Sequence, residues 1–472
     1  MKKPLLLTII ICLSIVAYAG PVDLEQAKQN ALRFMTDKHP AMARGKKIMT
    51  MTTACQTESY YVFNVGESQG YVIASGDDRT PGVLGYADKG SFDISNIPEN
   101  MKAWLQGYAD QMSMTRATPA TTSELGRPVA PMISSLWGQD APYYNKCPKL
   151  YDTPCVTGCV ATAMAQVMNY HRYPAQTIQE IPSFTTTCAK IKVDAIPVTS
   201  IDWNNIIDSY SYNATTAQNN AVATLMQLCG ASILMDYTNY GSGASSEAVA
   251  PALRHYFGYS NTVKNIQRND YSADEWNRII YAEMISGRPV IYGGQSSAGG
   301  HEFVIDGYDG NGYFHVNWGW KGMDDGYFLL SALNPPNNNG IGASGSADGY
   351  NMSQDANIGI QPKGASEPTI LTDYLNVATF VPMAESCDKM AAGMDFHVSL
   401  LFSVSNYGIP SSYDFGALIY TTDNKQVDAG QMFNADFKYG TGYTGSSTIQ
   451  FGKSLPDGQY YMIAANRPAG TT

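Results

Sequence analysis

The stretch Thr157-Gly158-Cys159-Val160-Ala161-Thr162-Ala163-Met164-Ala165-Gln166-Val167-Met168-Asn169-Tyr170-His171 constrains this chain most. Val160, Ala163, Met164, Val167 and Met168 recur at helical spacing, which predicts a helix with a buried face that ends at Tyr173-Pro174. Cys159 falls at the start of that helix, directly after a glycine. A thiol there meets the positive end of the helix dipole and unpaired backbone N–H groups, and both favour the thiolate. A buried structural cysteine is the competing reading. A partner base separates the two.

Four histidines compete for that role: His171, His255, His301 and His315. His171 lies at the far end of the same helix, more than two turns from Cys159. His255 sits in a helix-like run, Val249 to Tyr256, without notable neighbours. His301 follows Gly299-Gly300 and begins the strand-like run Glu302 to Asp306. Its offset from Cys159, 301 − 159 = 142 residues, falls in the ~130–150 interval of papain-type enzymes. The two glycines leave room for a substrate backbone beside the imidazole. A Gly/Asp/Asn-rich turn, Gly307 to Gly312, then leads to a return strand, Tyr313 to Trp318. A hairpin centred on Asp309 sets His301 opposite Asn317, whose amide can hold one ring nitrogen while Trp318 screens the bond from water. His315 shares parity with Asn317 and stays open as the alternative base.

Three blocks resemble the hallmarks of the streptopain family: Gly158-Cys159-Val160-Ala161-Thr162-Ala163, Gly299-Gly300-His301-Glu302-Phe303-Val304-Ile305-Asp306-Gly307, and His315-Val316-Asn317-Trp318-Gly319-Trp320. These are secreted bacterial cysteine peptidases with a papain-like core. The chain is also similar to interpain-type enzymes, which carry β domains after the catalytic one. The resemblance covers about residues 20 to 362, including Gly70 to Gly85 and the segment around Trp104. It implies a cysteine endopeptidase made as a zymogen, acting on protein or peptide substrates through a thioester acyl-enzyme. Cys159 is then the nucleophile and His301 the general base, then acid. Asn317 and Trp318 match the positions that support the histidine. Trp137-Gly138-Gln139 matches the stretch whose glutamine, Gln139, completes the oxyanion hole with the Cys159 N–H. Tyr240 to Ser246 and Gly300 match loops of the substrate cleft, which makes Ser242, Gly243 and Gly300 substrate-binding candidates. The prosegment is implied to block the cleft, as an intramolecular inhibitor, until it is cut away.

The rest of the chain fits that layout. Lys2 and Lys3, an apolar run from Leu5 to Val16, and Ala17-Tyr18-Ala19 read as a secretory signal peptide over 1–19, too short to span ~30 Å of hydrocarbon. The expected location is extracellular or at the surface of a bacterium, with no membrane association after cleavage. An inhibitory propeptide is expected over 20–120, as a small α+β unit. It has a helix at Val22 to Thr36, strands at Tyr60 to Val65 and Gly70 to Ser75, and a second helix from about Ile97 to Met114 with Met101, Trp104, Leu105 and Tyr108 inward. Thr115 to Ser123 reads as an exposed linker. The peptidase domain is placed at 121–362, with a further helix near Thr216 to Cys229 and a strand-rich half from Pro289 to Leu330. An all-β, sandwich-like accessory domain follows over 363–472; the chain stops soon after its last strand-like run, as a truncated sandwich would. The overall class is therefore α+β.

A net charge of −11 argues against nucleic-acid partners. No Cys-x-x-Cys pair occurs and histidines number 6, so no structural zinc is expected, nor any other metal or organic cofactor. Cys147 and Cys155 are close enough in sequence to bridge, but nothing further pairs them. Asp306 to Gly312 hints at a calcium loop yet lacks its acidic register, and reads better as a hairpin turn. Asn213-Ala214-Thr215 fits a glycosylation sequon without a role. Two other functions compete: an inactive peptidase scaffold serving surface adhesion or binding, and a transglutaminase-type toxin.

Overall fold

The computed structural model describes residues 20–39, 50–113, 118–119, 125–296, 299–334, 354–367, 375–382, 396–406, 411–430, 432–438, 441–451 and 455–469. The signal segment, most of the linker after Ser113 and the Gly/Asn-rich stretch 335–353 lie outside them.

The N-terminal unit begins with α1 (Leu24–Lys38), capped by Asp23, whose carboxylate accepts from Gln26 N at 2.8 Å. Ala27, Ala31 and Met35 bury one face of it against the strands β1 (Met51–Gln56), β2 (Tyr60–Val65), β3 (Tyr71–Ser75) and β4 (Val83–Ala87). The second helix, α2 (Glu99–Met112), turns Met101, Trp104, Leu105 and Tyr108 inward, as their spacing predicts.

The central unit holds α3 (Cys159–His171), α4 (Thr216–Ser232), α5 (Val249–His255) and α6 (Ala273–Ile285). Its strands are β5 (Lys264–Gln267), β6 (Val290–Ser296), β7 (Gly299–Tyr308), β8 (Phe314–Asn317), β9 (Gly326–Phe328) and β10 (Asp355–Ile358). α4 opens on a capping box in which Thr215 and Gln218 exchange hydrogen bonds, so the sequon threonine is a helix cap.

One antiparallel sheet runs through both units in the order β1-β2-β3-β4-β9-β8-β7-β6-β10-β5. The units join where β4 pairs β9, Tyr86 opposite Tyr327 and Gly85 opposite Phe328. Alternation along β6 and β7 gives this sheet two apolar faces. Ile291 and Val304 pack with α3, α4 and α5, whereas Val290, Tyr292, Phe303 and Ile305 pack with α2. α2 therefore covers the face of β6 and β7 opposite α3.

At the C-terminal end, β11 (Asn376–Pro382), β12 (Phe396–Asn406) and β16 (Thr441–Phe451) form one sheet. β13 (Ser411–Thr421) pairs β14 (Gln426–Ala429), β15 (Phe433–Phe437) and β17 (Tyr460–Pro468) in another. Val398, Leu400, Ile449 and Phe451 of the first meet Ala417 and Ile419 of the second in a shared core, a sandwich arrangement. Among the described residues no helix is long and apolar enough to cross a membrane.

Candidate active site

Gly158 shapes the entry to α3. Its φ of +86° is one that side chains resist, and a Cβ would come within 2.6 Å of Met235 Cε and 2.9 Å of the Ser242 carbonyl oxygen. The glycine thus turns the chain sharply into the helix, and its own carbonyl accepts from Thr162 N at 3.1 Å and Thr162 Oγ1 at 2.9 Å.

Cys159 is half-buried in a cleft of about 1100 Å³ that Gln139, Ser242, Gly243, Gly300, His301 and Glu302 also line. Gln139 is tied to the segment before the helix, since its carbonyl accepts from Thr157 N at 3.3 Å. The Ser242 hydroxyl is engaged within its loop, donating to Val156 O at 2.7 Å and accepting from Thr238 N at 3.0 Å. Gly243 faces open space, for an added Cβ there would meet nothing within 4 Å.

The thiol is not acidic in this form. Burial pushes Cys159 up to about 11, and the Glu302 carboxyl adds to the rise. The backbone N–H groups of Glu302, Val160 and Cys159 face the sulfur and pull the other way. Loss of water thus outweighs the helix start, contrary to the thiolate expected from position alone.

His301 sits beside Gly294 on β6 and shares strand parity with Phe303 and Ile305, the residues that pack on the α2 side. Burial lowers its pKa, and Glu99, at the start of α2, acts to raise it. Glu302, of opposite parity, is the residue whose N–H faces the Cys159 sulfur. Among the described residues no hydrogen bond joins Cys159 to His301. The two side chains share the cleft without being paired.

The expected pairing of His301 with Asn317 is corrected by the register. Asn317 lies opposite Val304, and a bulge between Ile305 and Gly307 shifts the rest of the hairpin. The hairpin centres on Asn311 rather than Asp309, since Tyr308 pairs Phe314 and Asp309 N donates to Tyr313 O at 3.0 Å. Parity consequently puts Asn317 on the α3 side. Its Oδ1 accepts from Gln166 Nε2 at 2.9 Å and Gly319 N at 3.0 Å, and its Nδ2 donates to Ser135 O at 3.1 Å. Gln166, a polar residue two turns along the buried face of α3, was visible in the sequence only as an exception to an apolar pattern.

Trp318 is buried between the sheet and α2. Its ring lies 4.8 Å from Phe303 and 6.5 Å from Trp104, and its carbonyl accepts from Asn100 Nδ2 at 2.5 Å. His315 is not at the cleft: its Nδ1 lies 2.6 Å from Asp306 Oδ1 and its ring packs on Tyr327. Burial would lower its pKa, but the Asp306 carboxylate prevails and raises it. Asp309 organises its turn, accepting from Asn311 N and Tyr313 N. Cys147 and Cys155 are both buried free thiols, not a disulfide. Among the described residues no cluster of three or more His, Cys, Asp or Glu is placed to hold a metal ion.

A cysteine at a glycine-led helix start and a histidine on a strand that the N-terminal unit covers thus line one cleft. The comparisons give the class, a cysteine peptidase zymogen. Residues 137–328 match the Peptidase C10 family, and residues 19–112 match the Spi protease inhibitor family. Streptopain of Streptococcus pyogenes is 38% identical over 331 residues, covering 64% of this chain and 80% of streptopain. The thiol protease/hemagglutinin PrtT of Porphyromonas gingivalis is 32% identical over 390 residues, 77% of this chain and 44% of PrtT. The structure of a Prevotella intermedia prointerpain A fragment aligns with a TM-score of 0.58 at 33% identity, covering 67% of this chain and 100% of that fragment. The chain belongs to the Peptidase C10, or streptopain, family.

Proposed function

We propose that this chain is the precursor of a secreted endopeptidase in which Cys159 is the nucleophile and His301 the general base and acid. The observation that carries this reading is the cleft itself, where Cys159, His301 and Gln139 all contribute to one wall system. In the active form the His301 imidazole takes the Cys159 proton. The thiolate then adds to a substrate carbonyl, and the oxyanion is held by the Cys159 N–H and the Gln139 amide. Collapse breaks the C–N bond, His301 returns the proton to the leaving amine, and a thioester remains. Water, deprotonated by His301, releases the acid and restores the thiol. Gly243 and Gly300 leave room for the substrate backbone.

Latency is assigned to the N-terminal unit. Glu99 lines the cleft with His301 and Asn100 holds the Trp318 carbonyl, both from the first turn of α2, while burial biases the thiol and, against the pull of Glu99, the imidazole towards the neutral form. Removing residues up to the linker frees His301 to turn towards the sulfur. The test is casein hydrolysis under reducing conditions by the processed chain and by Cys159→Ala. The expected loss is at least about 10³-fold; equal activity in the two would sink the assignment.

A further inference from the structure

Four cross-strand neighbours form a row along one side of the cleft. Glu302 on β7 pairs Gly293 on β6, Gly293 pairs Asp355 on β10, and Asp355 pairs Gln267 on β5. All four line the cleft that holds Cys159. Directly opposed residues project from the same face of a sheet. Two acids therefore flank a residue without a side chain, and a Cβ on Gly293 would lie 2.6 Å from Glu302 Oε2 and 3.0 Å from Asp355 Oδ1.

The carboxyls are tied together through Ser246, whose Oγ lies 2.8 Å from Glu302 Oε1 and 2.5 Å from Asp355 Oδ1. One hydroxyl proton can serve only one of those oxygens. Asn357 Nδ2 donates to Ser246 Oγ at 3.0 Å and Asn265 Nδ2 to Asp355 Oδ1 at 3.3 Å. Glu302 is only 4% exposed, yet its Oε2 accepts no hydrogen bond among the described residues. Neither carboxyl pairs with a Lys or Arg among them, and Lys321, across the cleft, is held by Asp140 at 2.6 Å. Buried acids without a counter-ion destabilise a fold, so a row of this kind points to a ligand that supplies the charge. The N–H of Glu302 faces the Cys159 sulfur. A substrate carbonyl brought to that sulfur therefore lies beside the Glu302 backbone, in the cleft that the Glu302 side chain also lines.

We propose that Glu302 and Asp355 form an acidic subsite that takes the basic side chain of a lysine or arginine next to the scissile bond. This rests on the peptidase reading and adds a substrate preference to it. Gly293 leaves the space through which the cation reaches both carboxyls, and Gln267 closes the row. Burial, then the charge of Asp355, holds Glu302 well above the ordinary carboxylate range, and burial lifts Asp355 to about 6. Near neutral pH the pair keeps a proton, which an entering cation displaces to solvent. The other ionisable groups lining the cleft are Glu99, Asp140, Cys159, Tyr240, Glu247, His301 and Lys321.

The test uses the full chain after limited proteolysis between its first two units. Peptides identical except for Lys, Arg, norleucine or Glu at each position flanking the cut are compared by kcat/KM. Basic residues at one position are expected to exceed norleucine by at least tenfold. Glu302→Gln and Asp355→Asn are each expected to bring that ratio towards unity by raising KM for the basic peptides. The ratio should also climb from pH 5 to 7 as Asp355, lifted by burial to about 6, loses its proton, while titration of Cys159 and His301 cancels between peptides. Calorimetric binding of the same peptides to Cys159→Ala reads the subsite without chemistry. A preference for basic peptides there supports the subsite even if nothing is cleaved. Equal binding of basic and norleucine peptides, or variants that keep the full ratio, overturns it.

Discussion

At the scale of single residues, Cys159 shows how position and surroundings compete for one proton. Three backbone N–H groups face the sulfur, the arrangement that makes helix-start thiols acidic, yet burial takes the thiol up to about 11. A neutral imidazole close by cannot compensate, because His301 is itself pulled down by burial. The sign for reactivity follows: thiolate is scarce at pH 7 and accumulates only as pH approaches the thiol pKa. Iodoacetamide should therefore alkylate Cys159 slowly in the intact precursor, with a rate that keeps rising through pH 10. In the processed chain, with α2 gone, the burial that holds His301 neutral is relieved and the imidazole is free to form an ion pair, so labelling at pH 7 should be at least about tenfold faster. Superimposable pH profiles for the two forms, read by mass spectrometry of the Cys159 peptide, would contradict this account of latency.

Among elements, the helix and strands around the site were legible because each signal is local. The spacing of Val160, Ala163, Met164, Val167 and Met168 marks α3, and the apolar run after His301 marks β7. The register of β7 against β8 was not legible, because it depends on a bulge at Asp306 and on the closure of the loop by Asp309 and Tyr313. Nor could the sequence say which face His301 takes, since that is set by the parity it shares with Phe303 and Ile305, which pack against a helix some two hundred residues earlier. The same element holds Asn317 in a network whose weak point is Gln166. Gln166→Ala leaves Asn317 Oδ1 with only the Gly319 N–H and strips Ser135 O of one donor. A buried polar group left short of partners costs about 1–3 kcal/mol. The precursor's denaturation midpoint should fall accordingly, while Gln166→Glu, which keeps an acceptor but loses the donor, should be no better than Ala. An unchanged midpoint for both would remove Gln166 from the frame of the site.

For the whole molecule, latency becomes a question of how firmly the first unit is docked. The sheet crosses the junction through β4 and β9, Leu329 N donates to Leu84 O at 3.0 Å, and the Tyr108 hydroxyl donates to Leu329 O at 2.5 Å. Beyond this backbone seam, Lys38 at the end of α1 reaches the turn between β7 and β8. Its Nζ bonds Asp309 Oδ2 at 2.5 Å and the Tyr86 hydroxyl, and lies 4.4 Å from the centre of the Tyr86 ring. Asp309 is almost fully buried, so its carboxylate depends on that ammonium. Lys38→Met keeps the apolar stem and removes the charge, and breaking a buried hydrogen-bonded pair costs about 2–5 kcal/mol. Every 1.4 kcal/mol raises the undocked fraction about tenfold, so the unprocessed variant should show measurable peptide hydrolysis and faster cutting by added trypsin between the units. Once processed, it should be indistinguishable from the wild type, because Lys38 leaves with the first unit. Asp309→Asn retains an acceptor for Asn311 N and Tyr313 N, so the turn survives while the ion pair does not, and it should reproduce the leak. If both precursors stay as silent as the wild type, the seam between β4 and β9 suffices for latency and the charge pair only fixes the angle at which α1 is held.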